Sequence, residues 1–305
     1  MIFLITGGSG FAAQCIAEEA SARGHAVRLM SRAAAGKPDM LPWTSDPAAL
    51  AETLVSLRPD VIFHGAGSAS VADSLRDPAG DRMASVGTWG TLLEAVRLAA
   101  LRPALLFPSS AAVYGNPASL PVGEDAPRHP ISPYGRHKME CEILAERARV
   151  EAGLPVFVFR LFSLFGPAQK RLLVRELYER VLAPGGEVVL EGTGQESRDY
   201  LSAWDMRHAV LDFVEHWKAE PPQGWIYNLA SGTETGVKGL TAMIIEIMNS
   251  HKTIRCRNAS RPGDPQRWVA GISAFKSACP SWAPAPLRDS LVKTIAAWRK
   301  EDATA

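Results

Sequence analysis

The N-terminal stretch limits most strongly what this chain can become. Ile2-Phe3-Leu4-Ile5-Thr6 is a short apolar, β-branched run that predicts a buried strand. It runs directly into Gly7-Gly8-Ser9-Gly10-Phe11-Ala12-Ala13, and an amphipathic stretch from about Gln14 to Arg23 predicts a helix. Gly8-x-Gly10-x-x-Ala13 fits the G-x-G-x-x-G/A pattern, and Gly7-x-x-Gly10-x-x-Ala13 fits G-x-x-G-x-x-G with alanine last. Strand, glycine turn and helix in that order form the context of a dinucleotide site. The glycines let the backbone approach a pyrophosphate, whose charge is stabilised by free N–H groups at the start of the helix.

Beyond the turn the pattern alternates strand and helix, with strands expected near 2–6, 26–31, 60–64, 104–109 and 156–160. That alternation predicts an α/β fold of the Rossmann type, a doubly wound parallel sheet. After Gly166-Pro167 the pattern loosens into a helix near 170–182, a strand at 187–191, a loop around Arg198 and a strand at 223–230 returning to the first sheet. Residues 1–166, with a return segment at about 201–230, are expected to form a dinucleotide-binding domain. Residues 167–200 and 231–305 would then form a smaller, discontinuous C-terminal substrate domain, with the substrate in the cleft between the two.

Within the first half, Tyr134-Gly135-Arg136-His137-Lys138 is a Tyr-x-x-x-Lys pair, and Ser109-Ser110-Ala111-Ala112-Val113-Tyr114-Gly115 lies upstream. On a helix, residues i and i+4 share one face. A phenol, with a reference pKa near ~10, is a poor proton shuttle at neutral pH, and a fixed positive charge within about 4–6 Å makes it a usable acid or base. A neighbouring serine hydroxyl can hydrogen-bond the substrate oxygen. The set is suited to alcohol–ketone interconversion.

These motifs are joined by Arg58-Pro59-Asp60-Val61-Ile62-Phe63-His64-Gly65-Ala66-Gly67, Arg160-Leu161-Phe162-Ser163-Leu164-Phe165-Gly166-Pro167, Arg198-Asp199-Tyr200, Tyr227-Asn228-Leu229 and Arg261-Pro262-Gly263-Asp264. Together they make the chain resemble an extended short-chain dehydrogenase/reductase of the NAD(P)-dependent nucleotide-sugar epimerase/dehydratase/reductase family, over about residues 2 to 300. The resemblance implies Ser110, Tyr134 and Lys138 as catalytic residues, with Lys138 also able to hold the nicotinamide ribose. It implies Gly7, Gly10, Phe11, Ala12, Ser31, Arg32, Gly65, Ala66, Tyr134, Lys138 and Leu161 at the cofactor. It assigns Ser163, Arg198, Arg261 and Asp264 to the nucleotide-diphosphate-sugar substrate. Ser163 and Ser85 stand where such proteins often carry Asn, and Trp43 where they often carry an Asp near the adenine.

Cofactor choice is read at the end of the second strand, where an NAD enzyme usually carries an acid for the ribose. Here Leu29-Met30-Ser31-Arg32 has none, and Arg32 with Ser31 suits a 2′-phosphate, so NADP is preferred to NAD. Ala111-Ala112 occupy the places where 4,6-dehydratases carry Asp-Glu, which excludes that elimination. Reduction of a nucleotide-activated 4-keto(-6-deoxy) sugar by hydride transfer at C4 is the leading expectation. A 4-epimerase with bound, recycled NAD is the alternative, and a non-catalytic cofactor-sensing regulator comes third.

Charge and composition narrow the remaining classes. Lys+Arg of 33 against Asp+Glu of 32 gives no basic excess, so nucleic acid is not an expected partner. A strand beginning at residue 2 and no apolar run near ~18 residues predict a soluble, cytoplasmic protein without a membrane partner. Cys15, Cys141, Cys256 and Cys279 lack C-x-x-C spacing, and no His/Cys/Asp pattern predicts a metal. The resemblance also implies a possible homodimer through helices at about 82–100 and 134–151, using Leu92, Leu93, Val96, Ile143 and Leu144.

Overall fold

Ile2–Thr6 forms strand β1, and α1 (Phe11–Ala22), β2 (Ala26–Ser31), β3 (Met40–Pro42), α2 (Pro47–Leu57) and β4 (Val61–His64) follow. The structure is a computed structural model that describes residues 1–34, 39–217, 222–258 and 266–304. Two short helices, α3 (Val71–Arg76) and α4 (Pro78–Arg82), pass through a π-helical turn at Met83–Gly87 into α5 (Thr88–Leu98). β5 (Ala104–Ser110), α6 (Pro133–Ala152) and β6 (Val156–Leu161) continue the alternation. Beyond them lie β7 (Ser163–Phe165), α7 (Leu173–Leu182), β8 (Glu187–Leu190), β9 (Ser197–Ser202), α8 (Ala203–Trp217) and β10 (Ile226–Leu229). The chain closes with β11 (Glu234–Gly236), α9 (Val237–Ile247), β12 (Thr253–Cys256), α10 (Ser273–Ala278) and α11 (Leu287–Thr304).

Seven strands form one parallel sheet in the order β10-β6-β5-β4-β1-β2-β3. The order reverses between β1 and β4, so the crevice beyond their C-terminal ends is where such a sheet takes a ligand. Successive residues of the inner strands serve opposite faces. Phe3, Ile5, Phe63 and Phe159 pack with Ile16 of α1 and Met206 and Phe213 of α8. Leu4, Ile62, Leu105 and Phe107 pack with Leu54 of α2, Trp89 of α5 and Cys141 of α6. With both faces covered, the inner strands read as continuous apolar runs rather than alternating ones.

A three-stranded sheet, β11-β9-β7, and the β12-β8 pair lie outside the main sheet. Phe165, Leu177, Tyr178, Tyr200, Ile244, Ile295 and Trp298 form a separate core between them and α7, α9 and α11. Residues around Arg198, expected as a loop, instead form β9, the buried middle strand of this sheet. Its polar side chains are accommodated because they are bonded rather than solvated. The Asp199 carboxylate accepts from the Ser231, Gly232 and Ala270 backbone N–H groups and from the Ser231 hydroxyl, at 2.6–3.2 Å. Helix α1 also starts at Phe11, ahead of the expected Gln14. Leu92 and Val96 are fully buried, and Leu93 and Leu144 pack against the same core beneath the sheet, so these four serve intramolecular packing.

Candidate active site

Gly7 holds the turn after β1 with a φ of 65°. A Cβ there would stand 2.5 Å from the Gly65 carbonyl carbon and the Ala66 nitrogen, so only glycine fits. The Gly10 N–H donates to the Gly7 carbonyl at 2.7 Å, and Gly8 donates to Met30 at 3.0 Å, which ties the turn to the end of β2. Gly10 caps α1 without a capping side chain, leaving the first-turn N–H groups of Phe11 and Ala12 available to an outside acceptor. Gly7, Ser9, Gly10, Ser31, Arg32, Trp43, Gly65, Ala66, Gly67, Ala84 and Thr88 line one cavity of about 160 Å³. Bare backbone at the start of a helix, beside a cavity free of carboxylates among its described lining residues, fits a dinucleotide pyrophosphate.

At the cavity's β2 side, Ser31 is buried and its hydroxyl accepts from Ala33 N–H at 3.2 Å, 3.4 Å from the Ser9 hydroxyl. Arg32 is exposed on the rim. A larger cavity, about 310 Å³, lies around Arg23 beyond the other end of α1, with Asp205, His208 and Trp282 in its wall. Arg23 and Asp212 there are already paired at 2.7 Å, and the cavity does not touch the glycine turn.

The catalytic candidates converge at the C-terminal end of β5 and the first turns of α6. Ser132 starts α6 by accepting the Gly135 N–H at 3.1 Å, with Pro133 in the first turn. That cap places Tyr134 at the helix entrance, where its own N–H donates to the Ser74 hydroxyl of α3 at 3.1 Å. One turn on, the Lys138 ammonium donates to the Pro108 carbonyl of β5 at 2.8 Å, and lies 5.8 Å from the Tyr134 ring centre and 4.9 Å from that of Phe107. Lys138 is buried, its ammonium held between the β5 backbone and the Tyr134 ring. Ser110 ends β5 with its hydroxyl accepting only the Ala112 N–H, at 3.2 Å, among the described residues.

Ser109 is different. Its hydroxyl donates to Glu142 at 2.6 Å, and Glu142 is fully buried and paired with Arg160 at 2.8 Å. Arg160 also donates to the Tyr114 hydroxyl at 2.8 Å, which donates to Asn228 of β10 at 2.7 Å. This network locks β5, α6, β6 and β10 together behind the reactive groups. Glu142 lies four residues after Lys138 on α6, a spacing that could have revealed it in the sequence. His64, at the end of β4, contacts the Thr6 hydroxyl at 2.8 Å and the Thr88 hydroxyl at 3.3 Å. Complete burial, with a smaller contribution from the Lys138 charge, pushes its imidazole down to about 3. His137 turns away from Tyr134 to meet Asp81 of α4.

Leu161 closes β6 opposite Ser110, and Ser163 opens β7 opposite Tyr200. Arg198 is buried in β9, donating to the Ser197 carbonyl at 2.7 Å with its guanidinium carbon 5.5 Å from the Trp268 ring centre. Arg261 and Asp264 lie outside the described residues. Sequence reasoning did not assign Ser9, Ala84 or Thr88 to the cavity, since small residues in a helix or turn carry no chemical signature. Ser74, which positions Tyr134, was equally silent. Among the described residues no group of three or more His, Cys, Asp or Glu side chains could hold a metal ion, and no helix is long and apolar enough to cross a membrane.

The chain is similar to known proteins in sequence and in fold. The family model described as "NAD dependent epimerase/dehydratase family" matches residues 3–230. GDP-6-deoxy-D-mannose reductase of Pseudomonas aeruginosa is 31% identical over 250 residues, covering 79% of this chain and 80% of that protein. The structure of UDP-glucose 4-epimerase from Thermotoga maritima with UDP-glucose superposes with a TM-score of 0.86 at 28% identity, covering 99% of both chains. That of the Thermus thermophilus UDP-glucose 4-epimerase complex with NAD gives 0.84 at 26%, covering 98% of this chain and 99% of the other. With the glycine cradle and the Ser110, Tyr134 and Lys138 group in place, the chain belongs to the NAD-dependent epimerase/dehydratase family and is a nicotinamide-dependent enzyme that modifies nucleotide sugars.

Proposed function

We propose that the chain interconverts C4 epimers of a nucleoside-diphosphate hexose of the UDP-glucose type, with bound NAD returned to its starting state in each turnover. The observation that carries this reading is the buried Lys138 ammonium, 5.8 Å from the Tyr134 ring centre and bonded to β5 two residues before Ser110, in the sheet whose β1 leads into the glycine cradle. The family resemblance to two solved UDP-glucose 4-epimerases supports it, and favours it over the stoichiometric reduction expected from the sequence. Ala111 and Ala112 leave no acid and base beside Ser110 for eliminating water from the sugar.

When bound, a nicotinamide would supply reversible hydride transfer at the sugar carbon. Tyr134 removes the C4 hydroxyl proton as hydride leaves, and returns it as hydride comes back to the other face of the turned 4-keto sugar. Lys138 stabilises the negative charge that develops on the phenol oxygen. Ser110 donates to the substrate oxygen and holds it toward Tyr134. Gly7, Gly10, Phe11 and Ala12 receive the pyrophosphate, Ser31 and Arg32 the adenosine ribose, and Gly65, Ala66 and Leu161 border the rest of the cofactor. Ser163, Arg198, Arg261 and Asp264 are assigned to the sugar nucleotide. On this reading residues 1–166 and 201–230 form the cofactor half, and residues 167–200 and 231–305 the substrate half.

A second reading rests on Arg32. An exposed guanidinium at the end of β2, with no carboxylate among the described cavity residues, suits a 2′-phosphate and therefore NADP-consuming reduction of a 4-keto sugar. The relative from Pseudomonas aeruginosa named as a reductase lends it weight. Incubating the purified enzyme with UDP-glucose, and separately with a nucleoside-diphosphate 4-keto sugar and NADPH, while following both product and absorbance of the reduced nicotinamide separates the two. Epimer formation without net change in the cofactor is the expected result. Consumption of one reduced cofactor for each 4-keto sugar, with no epimerisation of UDP-glucose, would establish the second reading instead.

A further inference from the structure

Trp43 lines the cofactor cavity, yet nothing in the proposed chemistry uses it. It directly follows β3, and its N–H donates to the Ser31 carbonyl at 3.1 Å, so the residue is tied to the end of the strand that carries the ribose-side Ser31 and Arg32. Its indole is partly exposed, and rests on the core formed by Leu4, Met30, Leu50 and Trp89. On one side it meets the ring of His64, with centres 6.2 Å apart and planes inclined at 55°. His64 is in turn held against Trp89 and Phe107 at 5.1 and 6.4 Å, so Trp43 rests against a buried cluster of aromatic rings.

The rest of the wall offers little with which to read a base. Its described side chains include no carboxylate and no amide. The Thr88 hydroxyl already donates to the Ala84 carbonyl at 2.7 Å, and the Ser31 hydroxyl already accepts the Ala33 N–H. In a doubly wound sheet the adenosine ribose lies at the end of the second strand. The next group outward is the purine, and the next strand outward ends at Trp43.

We propose that Trp43 is the stacking platform for the purine of the dinucleotide, and that the site holds this base by its π-face rather than by hydrogen bonds to its edge. The inference rests on the cofactor reading above and extends it to specificity. Stacking depends little on the base's exocyclic group, so the hypoxanthine analogue of NAD binds about as well as NAD itself. A side chain reading the 6-amino group would reject that analogue, because its own polar atom would be left unpaired.

The test is a binding titration on the full chain freed of co-purifying nucleotide, using NAD, its hypoxanthine analogue, ADP-ribose and nicotinamide mononucleotide. In wild type, NAD, the analogue and ADP-ribose quench tryptophan emission, nicotinamide mononucleotide does not, and NAD and the analogue agree in Kd within about threefold. Trp43→Leu weakens NAD by roughly ten- to a hundredfold, the range expected for losing one base–aromatic stack, and removes the adenosine-dependent quench. Trp43→Phe, which keeps a ring, restores most of the affinity. Unchanged NAD affinity in Trp43→Leu, or a tenfold loss for the hypoxanthine analogue in wild type, overturns the inference and leaves the proposed function standing. Failure of wild type to bind any dinucleotide overturns both.

Discussion

Tyr134 and Lys138 divide the acid–base work between a group that moves a proton and a group that supplies charge. Tyr134→Phe keeps the ring and its place on α6, so cofactor affinity is expected to stay within a factor of two while kcat falls by about 10²–10⁴-fold. Steady-state rates with cofactor titration on the same protein check both halves of that statement. Ser110 and Ser109 are neighbours with different fates, because the Ser109 hydroxyl is committed to a buried carboxylate and the Ser110 hydroxyl is not. Ser110→Ala should therefore lower kcat with little effect on melting temperature, whereas Ser109→Ala should lower the melting temperature by removing one of the hydrogen bonds to buried Glu142. Gly7→Ala pushes a methyl group into the Gly65 carbonyl at a left-handed φ, and isothermal titration should show dinucleotide binding lost. The Gly7 and Tyr134–Lys138 motifs were legible in the sequence because geometry leaves few other residues able to do those jobs. Trp43 was legible only as a departure, standing where an Asp near the adenine is common, and Ser74 was not legible, since its bond to Tyr134 is made across the fold.

At the scale of elements, the strands of the main sheet announced themselves through apolar runs covered on both faces. β9 did not, because Ser197, Arg198, Asp199 and Tyr200 look solvent-facing until Ser231, Gly232 and Ala270 arrive from distant segments to bond Asp199. Short strands such as β3 and β7, three residues each, carry too little periodicity to be recognised. Two elements lend themselves to direct tests. The Ser132 cap that starts α6 should be worth about 1 kcal/mol, read from chemical denaturation of Ser132→Ala. The β4 terminus carries His64, whose folded pKa of about 3 lies below the ordinary value of 6.5. The folded state therefore excludes a proton that the unfolded chain accepts, so this contribution is complete above about pH 6.5 and is lost as pH falls toward 3. Replacing it by leucine should flatten the fall of melting temperature between pH 6.5 and 4.5, a difference on the order of 2–3 kcal/mol at the lower pH. An identical slope in His64→Leu would show that other groups govern the acid limb.

For the whole molecule, the seven-stranded sheet brings the glycine cradle, β5 and α6 to one edge, while the β11-β9-β7 sheet follows directly from β6 through Ser163. The main strands of the seven-stranded sheet were readable from the sequence, and so were α7, β8 and the return of β10 to that sheet; β9 was not, because its order comes from buried polar contacts between segments far apart in the chain. The reductase and epimerase readings use the same residues and differ in the source of the hydride, which a reductase takes from a reduced cofactor that it consumes and an epimerase takes from C4 of its own substrate. Substrate labelled with deuterium at C4 follows that hydride directly. Supplied with UDP-glucose carrying the label, the enzyme should form the C4 epimer with deuterium retained at C4, without added cofactor being reduced or oxidised. Deuterium found in released reduced cofactor, or an epimer that has lost its label to solvent, would contradict the account.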